Sequence, residues 1–197
     1  MNGSGEPVTI RFAGVVLAGG RSTRMGADKA FLAWRGRRLI DRQLDLLCTL
    51  APSELLVSGR AGVNYAATGA RVVCDAAPDQ GPLGGLAAVL QATTTPYVVL
   101  LAVDLPAMTP DFLRGLLSRC RPGVGVVAQT RAGWEPLAAV YPREILPLVN
   151  ARLTRRELAL QSLLKEAIDN GLLVVVEPAA SELGLFRNLN TPNDTGE

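Results

Sequence analysis

Short apolar runs alternate along the chain with segments in which apolar residues recur at helical spacing. The runs with the apolar and β-branched content of buried strands lie at Phe12–Leu17, 55–57, Arg71–Cys74, 97–103, 123–128, 136–141 and 172–177. The helical patterns lie at 39–50, 86–91, Pro110–Leu117, 142–149 and 156–168. Because strands alternate with helices, the pattern predicts a mostly parallel sheet with helices on both faces.

Local signals refine this picture at three places. The run at 97–103, YVVLLAV, is the most apolar and predicts a central parallel strand that is buried on both faces. Thr109 predicts the N-cap of a helix whose first residue is Pro110. For residues 60–70 the sequence predicts either a loop or a short helix. For residues 186–194 it predicts a C-terminal loop that can include a short helix.

Length and charge exclude several classes of protein. The 197 residues are sufficient for one domain with a sizeable core, and we expect a loose leader at 1–9 and a single domain at 10–197. The formal net charge of +2 gives no bulk attraction for nucleic acid or membrane. No apolar run approaches the roughly 20 residues of a membrane-spanning helix. We therefore expect a cytoplasmic protein without nucleic-acid or membrane partners.

The residue types limit the chemistry. The chain contains no histidine, which excludes Ser-His-Asp catalysis, Cys-His catalysis and histidine-ligated metals. The cysteines, Cys48, Cys74 and Cys120, are widely spaced and form no CxxC pair, so we expect them to be small buried side chains. A reaction in this protein must use carboxylates, cations, backbone amides or a hard metal ion.

A glycine-rich basic loop follows the first predicted strand, and residues 17–29 read LAGGRSTRMGADK. Gly19 and Gly20 allow a close approach of the backbone to a ligand, while Arg24 and Lys29 supply positive charge. Such a loop is typical of phosphate binding. It contains neither the G-K-[ST] of a P-loop nor G-x-G-x-x-G.

Two carboxylates are expected at the same edge of the sheet as this loop. Asp75 follows the third predicted strand and Asp104 follows the strand at 97–103. Ligands of such sheets bind beyond the carboxyl ends of the strands. The sequence therefore predicts that Gly19, Gly20, Asp75 and Asp104 share one rim.

Asp104 is the leading candidate for a metal ligand. It precedes Leu105-Pro106, so it either caps a turn or binds Mg²⁺, which commonly takes one or two carboxylates and fills its shell with water and phosphate oxygens. The phosphate loop on the same rim favours Mg²⁺. Asn190 is a second candidate ligand; the alternative is an Asx turn with Thr191 as a helix N-cap, and both can hold together.

The whole run after the first strand resembles the signature of nucleotidyltransferases that make the molybdenum cofactor, and its LAGG form resembles the GTP:molybdopterin guanylyltransferase family. Further family landmarks follow in order, as GPLGG at 81–85, EPLAAVY at 135–141 and NLNTP at 188–192. The resemblance implies a three-layer Rossmann-like nucleotidyltransferase fold with a GTP site, in which Asp104 takes the metal. The GTP-binding residues that it implies are Leu17, Ala18, Gly19, Gly20, Lys29, Asp75 and Asp104.

The resemblance also implies a reaction, the transfer of GMP from GTP to the terminal phosphate of molybdopterin with Mg²⁺ as cofactor. Lys29, Arg24 and Asp104 would stabilise the phosphates, and no general base is needed because a phosphate with a second pKa of about 6 is largely dianionic at neutral pH. As further partners it suggests proteins of molybdenum insertion and molybdoenzyme maturation.

One position departs from the family, which often has Asn after the second strand, near the base and ribose. This chain has Ser58 there, which predicts a shorter hydrogen-bonding contact to the nucleotide. Trp34 and Trp134 either pack or stack on a ring. The alternatives to the guanylyltransferase are a cytidylyltransferase for the same pterin, a guanylyltransferase for another small phosphate and a non-catalytic carrier. The small LAGG loop leaves room for a purine and favours guanine.

Overall fold

The computed structural model describes residues 10–19, 28–65, 68–74 and 79–189. In these residues one sheet contains seven strands, which in spatial order are β5 (Arg71–Cys74), β4 (Glu54–Gly59), β1 (Phe12–Leu17), β6 (Tyr97–Ala102), β8 (Gly133–Pro142), β7 (Gly125–Thr130) and β9 (Leu173–Val176). All pairings are parallel except those of β8, which is antiparallel to both neighbours. The predicted mostly parallel α/β sheet is confirmed.

Helices cover both faces of this sheet. On one face lie α1 (Leu39–Cys48) and α3 (Pro110–Leu117); on the other lie α2 (Gly81–Ala92), α4 (Leu146–Arg155) and α5 (Leu160–Asp169). Alternate residues of a strand point to opposite faces, so Val16 packs in the first layer and Val15 in the second. Every residue of β1 and β6 is buried, which accounts for their uninterrupted apolar sequences.

The apolar pattern predicts the middle of the sheet better than its second half. The bounds of β1, β5 and α3 agree with the pattern, and Thr109 caps α3 by accepting a hydrogen bond from the Phe112 N–H at 3.4 Å. Strand β6 is central, but it is parallel only to β1 and antiparallel to β8.

The predicted helices at 142–149 and 156–168 are displaced in the structure. Pro142 ends β8, a 3₁₀ turn follows, and α4 then continues to Arg155. Arg156 has a φ of 58° and caps α4 in the left-handed conformation, so α5 begins only at Leu160. Residues Ala180–Phe186 form a 3₁₀ helix that was not predicted, and residues 190–194 of the predicted C-terminal loop lie outside the described residues.

A short hairpin between β1 and α1 was not predicted. It pairs β2 (Ala33–Trp34) with β3 (Arg37–Arg38) through a turn in which Arg35 and Gly36 have φ values of 49° and 76°. Positive φ at both central residues is the geometry of a type I′ turn. Strands of two residues are too short to leave a period in the sequence.

The expectation that all the cysteines are buried is wrong. Cys48 and Cys74 are exposed because they end α1 and the edge strand β5, and Cys120 is half-buried. Burial raises the pKa of the Cys120 thiol to about 12. In the described part of the chain, no helix is long and apolar enough to cross a membrane.

Candidate active site

The parallel strands β4, β1 and β6 end at one rim of the sheet, and backbone hydrogen bonds join the segments that leave them. The Ala18 and Gly19 N–H groups both donate to the Ser58 carbonyl, at 2.9 and 3.1 Å. The Val103 N–H donates to the Leu17 carbonyl at 3.1 Å. The start of the glycine-rich loop is therefore fixed over the ends of β4 and β6.

A lysine and an aspartate meet at this rim from positions 75 residues apart in sequence. Lys29 Nζ lies 2.9 Å from Asp104 Oδ2, and the side chains are only 16% and 25% exposed. Lys29 begins a 3₁₀ turn whose N-cap is Asp28, and Asp104 is the second residue after β6. A partly buried cation and carboxylate therefore lie together at the rim, and their predicted roles toward phosphate and metal stay predictions.

The turn that carries Asp104 is held in place by residues from distant segments. The buried Gln43 of α1 donates to the carbonyls of Ala102 and Leu105, at 3.4 and 2.7 Å. The Leu189 N–H donates to the Asp104 carbonyl at 2.9 Å. Sequence reasoning missed this role of Gln43, although a polar residue within the apolar stripe of α1 was a signal for it. The NLNTP segment reaches Asp104 through Leu189.

A second polar cluster, which we call the Asp28 cluster, consists of Asp28, Arg60 and Tyr65. Arg60 Nη2 and the Tyr65 hydroxyl both donate to Asp28 Oδ2 at 3.0 Å, and the Ala30 N–H donates to Oδ1 at 3.1 Å. Burial, and then the Asp28 carboxylate, raises the pKa of Tyr65 to about 12. Sequence reasoning missed this cluster, which connects the end of β4 to the residue before Lys29.

Gly59 makes room for that cluster. A Cβ atom at Gly59 would lie 2.4 Å from the Tyr65 ring, closer than any side chain tolerates. The buried Tyr65 ring therefore packs directly on the backbone where β4 ends.

The predicted site residues fall into two groups. Those placed together at the rim are Leu17, Ala18, Gly19, Lys29, Ser58 and Asp104. Gly20, Arg24, Asp75 and Asn190 lie outside the described residues.

The backbone, rather than the side chain, brings Ser58 into the site. Its carbonyl accepts the two amides of the glycine-rich loop, whereas the residue is 1% exposed and no described residue bonds its hydroxyl. The predicted contact between that hydroxyl and the nucleotide stays a prediction. The side chain that stands more exposed at the end of β4 is Arg60.

The donor set at the rim fits a magnesium ion. Asp104 Oδ2 bonds Lys29, and no described residue bonds Oδ1, which leaves an oxygen for a hard cation. The described residues contain no group of three or more His, Cys, Asp or Glu side chains that could form an all-protein metal cage. One carboxylate completed by water and phosphate oxygens is a common arrangement for Mg²⁺.

The two tryptophans have different surroundings, and both are half-buried. The guanidinium carbons of Arg35 and Arg42 lie 4.5 and 4.6 Å from the Trp34 ring centroid. Trp134 lines an open groove with Gln161, which donates to the Trp134 carbonyl at 2.8 Å. Packing with side chains of the chain itself accounts for Trp34, in agreement with the first of its two predicted roles.

Comparison with known proteins identifies the family of this chain. The family model described as "MobA-like NTP transferase domain" matches residues 14–171. A protein of Opitutus terrae named "Probable molybdenum cofactor guanylyltransferase" is 36% identical over 185 residues, which cover 92% of both chains. A Pseudomonas putida protein named "Molybdenum cofactor guanylyltransferase" is 34% identical over 182 residues, covering 90% of this chain and 92% of its own.

The fold also matches solved structures. That of molybdopterin-guanine dinucleotide biosynthesis protein A from Archaeoglobus fulgidus superposes with a TM-score of 0.73 at 21% identity, covering 93% of this chain and 94% of the other. At that identity the likeness concerns the Rossmann-like fold alone. Because the family model covers most of the sheet and relatives above 30% identity span nearly the whole chain, this protein belongs to the MobA-like NTP transferase family and is a nucleotidyltransferase.

Proposed function

We propose that this protein transfers GMP from GTP to the terminal phosphate of molybdopterin in its molybdenum-bound form, producing molybdopterin guanine dinucleotide and pyrophosphate. The observation that carries the proposal is the Lys29–Asp104 pair at the ends of β1 and β6, in a family whose curated relatives are named molybdenum cofactor guanylyltransferases. Its position beside the glycine-rich loop suits a bound triphosphate.

The chemistry requires positioning and charge rather than a base. An oxygen of the molybdopterin phosphate attacks the α-phosphorus of GTP, a new P–O bond forms, and the bond between the α-phosphorus and the bridging oxygen breaks as pyrophosphate leaves. Since the phosphate nucleophile is already largely dianionic at neutral pH, the absence of histidine from the chain is no obstacle. Catalysis then depends on alignment and on cations that match the developing charge.

In this proposal Lys29 and Asp104 exchange partners when the substrates bind. Asp104 would hold Mg²⁺ with Asn190, and Lys29 Nζ would turn from the carboxylate to the triphosphate. Bound Mg²⁺ would neutralise charge on the transferring phosphoryl group and on the pyrophosphate. The family resemblance assigns Leu17, Ala18, Gly19, Gly20 and Asp75 to the nucleotide, and the position of the first three at the rim supports this. Arg24 is assigned to the triphosphate for its positive charge in the glycine-rich loop.

Pyrophosphate release tests the function directly. We expect release from GTP, but not from CTP or ATP, only when Mg²⁺ and molybdenum-charged molybdopterin are present. Release with CTP instead would indicate the cytidylyltransferase. GTP binding without release under any condition would indicate a carrier, and release with a different small phosphate as acceptor would identify another guanylyltransferase. The product would pass to the proteins that mature molybdoenzymes.

A further inference from the structure

We propose that Arg60 selects guanine over adenine and cytosine, an inference that rests on the function proposed above. Arg60 is the first residue after β4, at the rim that carries Gly19 and the Lys29–Asp104 pair. The strands β5, β4 and β1 have the 3-2-1 order of a mononucleotide-binding half of a doubly wound sheet. With the triphosphate at Lys29, the nucleoside then lies on the β4 side, where Arg60 is a partly exposed cation directly after the strand.

Contacts on two sides hold the Arg60 side chain at this place. Its Nη2 donates to Asp28 Oδ2 at 3.0 Å, and Asp28 is only 9% exposed and adjoins Lys29. Its Cγ would lie 3.6 Å from a Cβ atom at Gly19, so its aliphatic part lies against the backbone of Gly19. The guanidinium is thus pre-positioned between Gly19 and the segment that carries Lys29.

The guanidinium keeps donors that the protein does not use. It has five N–H donors, and one of those on Nη2 serves Asp28. The Nε donor is buried and has no hydrogen-bond partner among the described residues, so a ligand would meet the donors of the two Nη atoms. The side chain is 37% exposed, so part of the group is open to a ligand. Hydrogen bonding to Asp28 raises the pKa of Arg60, which keeps the group cationic.

A group that only donates hydrogen bonds discriminates among bases. Guanine carries two neighbouring acceptors, O6 and N7, and arginine binds both in a bidentate contact. Adenine has an amino donor in place of O6, and cytosine presents the amino donor N4, so each would place donor against donor. Arg60 therefore favours GTP through the purine edge that carries O6 and N7, whereas the enclosed Ser58 hydroxyl offers no comparable group.

The experiment compares GTP with 7-deaza-GTP, in which a C–H replaces the N7 acceptor and the triphosphate is unchanged. Dissociation constants are measured by calorimetry with Mg²⁺ and without pterin, for the wild type, Arg60→Met and Arg60→Lys. Arg71→Met serves as a control, since Arg71 is an exposed arginine that pairs with Glu54 where β5 begins. Because all the nucleotides share the triphosphate, its contribution cancels in each ratio.

We expect the wild type and Arg71→Met to bind GTP roughly tenfold more tightly than 7-deaza-GTP, the effect of losing a good base contact. In Arg60→Met and Arg60→Lys the ratio should fall close to one, since Met has no donors and Lys lacks the planar fork. If Arg60→Met does not fold, the ratio in Arg60→Lys decides.

An equal affinity of the wild type for both nucleotides, or a tenfold ratio that survives in the Arg60 variants, would overturn the assignment and reduce Arg60 to a structural contact of Asp28. Failure of the proposed function is seen separately. It would appear as a wild type that releases no pyrophosphate from GTP with pterin, whatever the ratio of the binding constants.

Discussion

Replacing Asp104 with asparagine should change GTP binding in opposite directions without and with Mg²⁺. The substitution keeps the shape of the side chain and removes one negative charge. Without metal, the Asp104 carboxylate pairs with Lys29 Nζ at 2.9 Å, which makes the lysine less available to GTP. Its negative charge also repels the incoming triphosphate. With metal, the same carboxylate is needed to hold the ion.

The expected magnitude follows from the exposure of the pair. Two unit charges 4 Å apart interact by about 1 kcal/mol in water and about 4 kcal/mol near a protein surface. With side chains 16% and 25% exposed, and a flexible lysine that can turn aside, we take about 1–2 kcal/mol as the gain on removing the charge. Metal-free GTP should therefore bind roughly 5- to 30-fold more tightly to Asp104→Asn. With Mg²⁺, GTP should instead bind more weakly to Asp104→Asn than to the wild type, because the carboxylate that holds the ion is lost.

The assay is calorimetric titration of GTP into wild type, Asp104→Asn and Asp111→Asn, in a chelator and in Mg²⁺. Asp111 is the matched control because it is an almost fully exposed carboxylate that pairs with Arg114 on α3. It should leave both affinities unchanged. Equal or weaker metal-free binding by Asp104→Asn, or an undiminished gain from Mg²⁺, would refute the placement of this carboxylate beside the triphosphate.

Two further predictions concern the stability of the fold. Gln43→Leu removes the side-chain hydrogen bonds to the carbonyls of Ala102 and Leu105 and should lower the free energy of unfolding by about 0.5–1.5 kcal/mol, because both carbonyls keep a backbone donor. Urea titration would show a lower midpoint at constant slope, and an unchanged midpoint would contradict the role. Burial raises the pKa of Glu135, although the hydrogen bond from Thr130 acts in the opposite direction. The folded state therefore holds this proton more tightly than the unfolded chain does. As pH rises from the ordinary carboxyl pKa through the raised pKa, ionisation of Glu135 lowers the free energy of unfolding. Glu135→Gln should therefore raise the melting temperature more at pH 7 than at pH 4, and an equal effect at both would contradict the burial of this carboxyl.

The sequence pattern predicted the rim because the rim depends on strand ends. Uninterrupted apolar runs located β1 and β6, and the rule that ligands bind beyond the carboxyl ends of parallel strands brought Gly19 and Asp104 together. Their proximity in the structure follows from register, since Leu17 pairs with Ala102. The direct contact between Lys29 and Asp104 was not predicted, although both were assigned to the same ligand.

The contacts that shape the site could not be predicted because they join loops distant in sequence. The Asp28 cluster connects residues 32 and 37 positions apart through side chains outside regular structure, where no periodicity restricts them. The sequence also predicted a contact between the Ser58 hydroxyl and the nucleotide, whereas in the structure Ser58 is buried and its carbonyl contacts the glycine-rich loop. Successive side chains of a strand point to opposite faces, so a shift of one residue in register decides whether a given side chain is buried or exposed.

The most direct test of the central claim is the transfer of the α-phosphorus of GTP to molybdopterin. GTP labelled at that phosphorus is incubated with Mg²⁺, molybdenum-charged molybdopterin and wild type, Lys29→Met or Lys165→Met, the last being an exposed surface lysine of α5 that pairs with Asp169. The account predicts that the label enters the pterin dinucleotide with the wild type and Lys165→Met, and at least a hundredfold more slowly with Lys29→Met. Label that stays in GTP with the wild type, or that enters the pterin at the same rate with Lys29→Met, would contradict it.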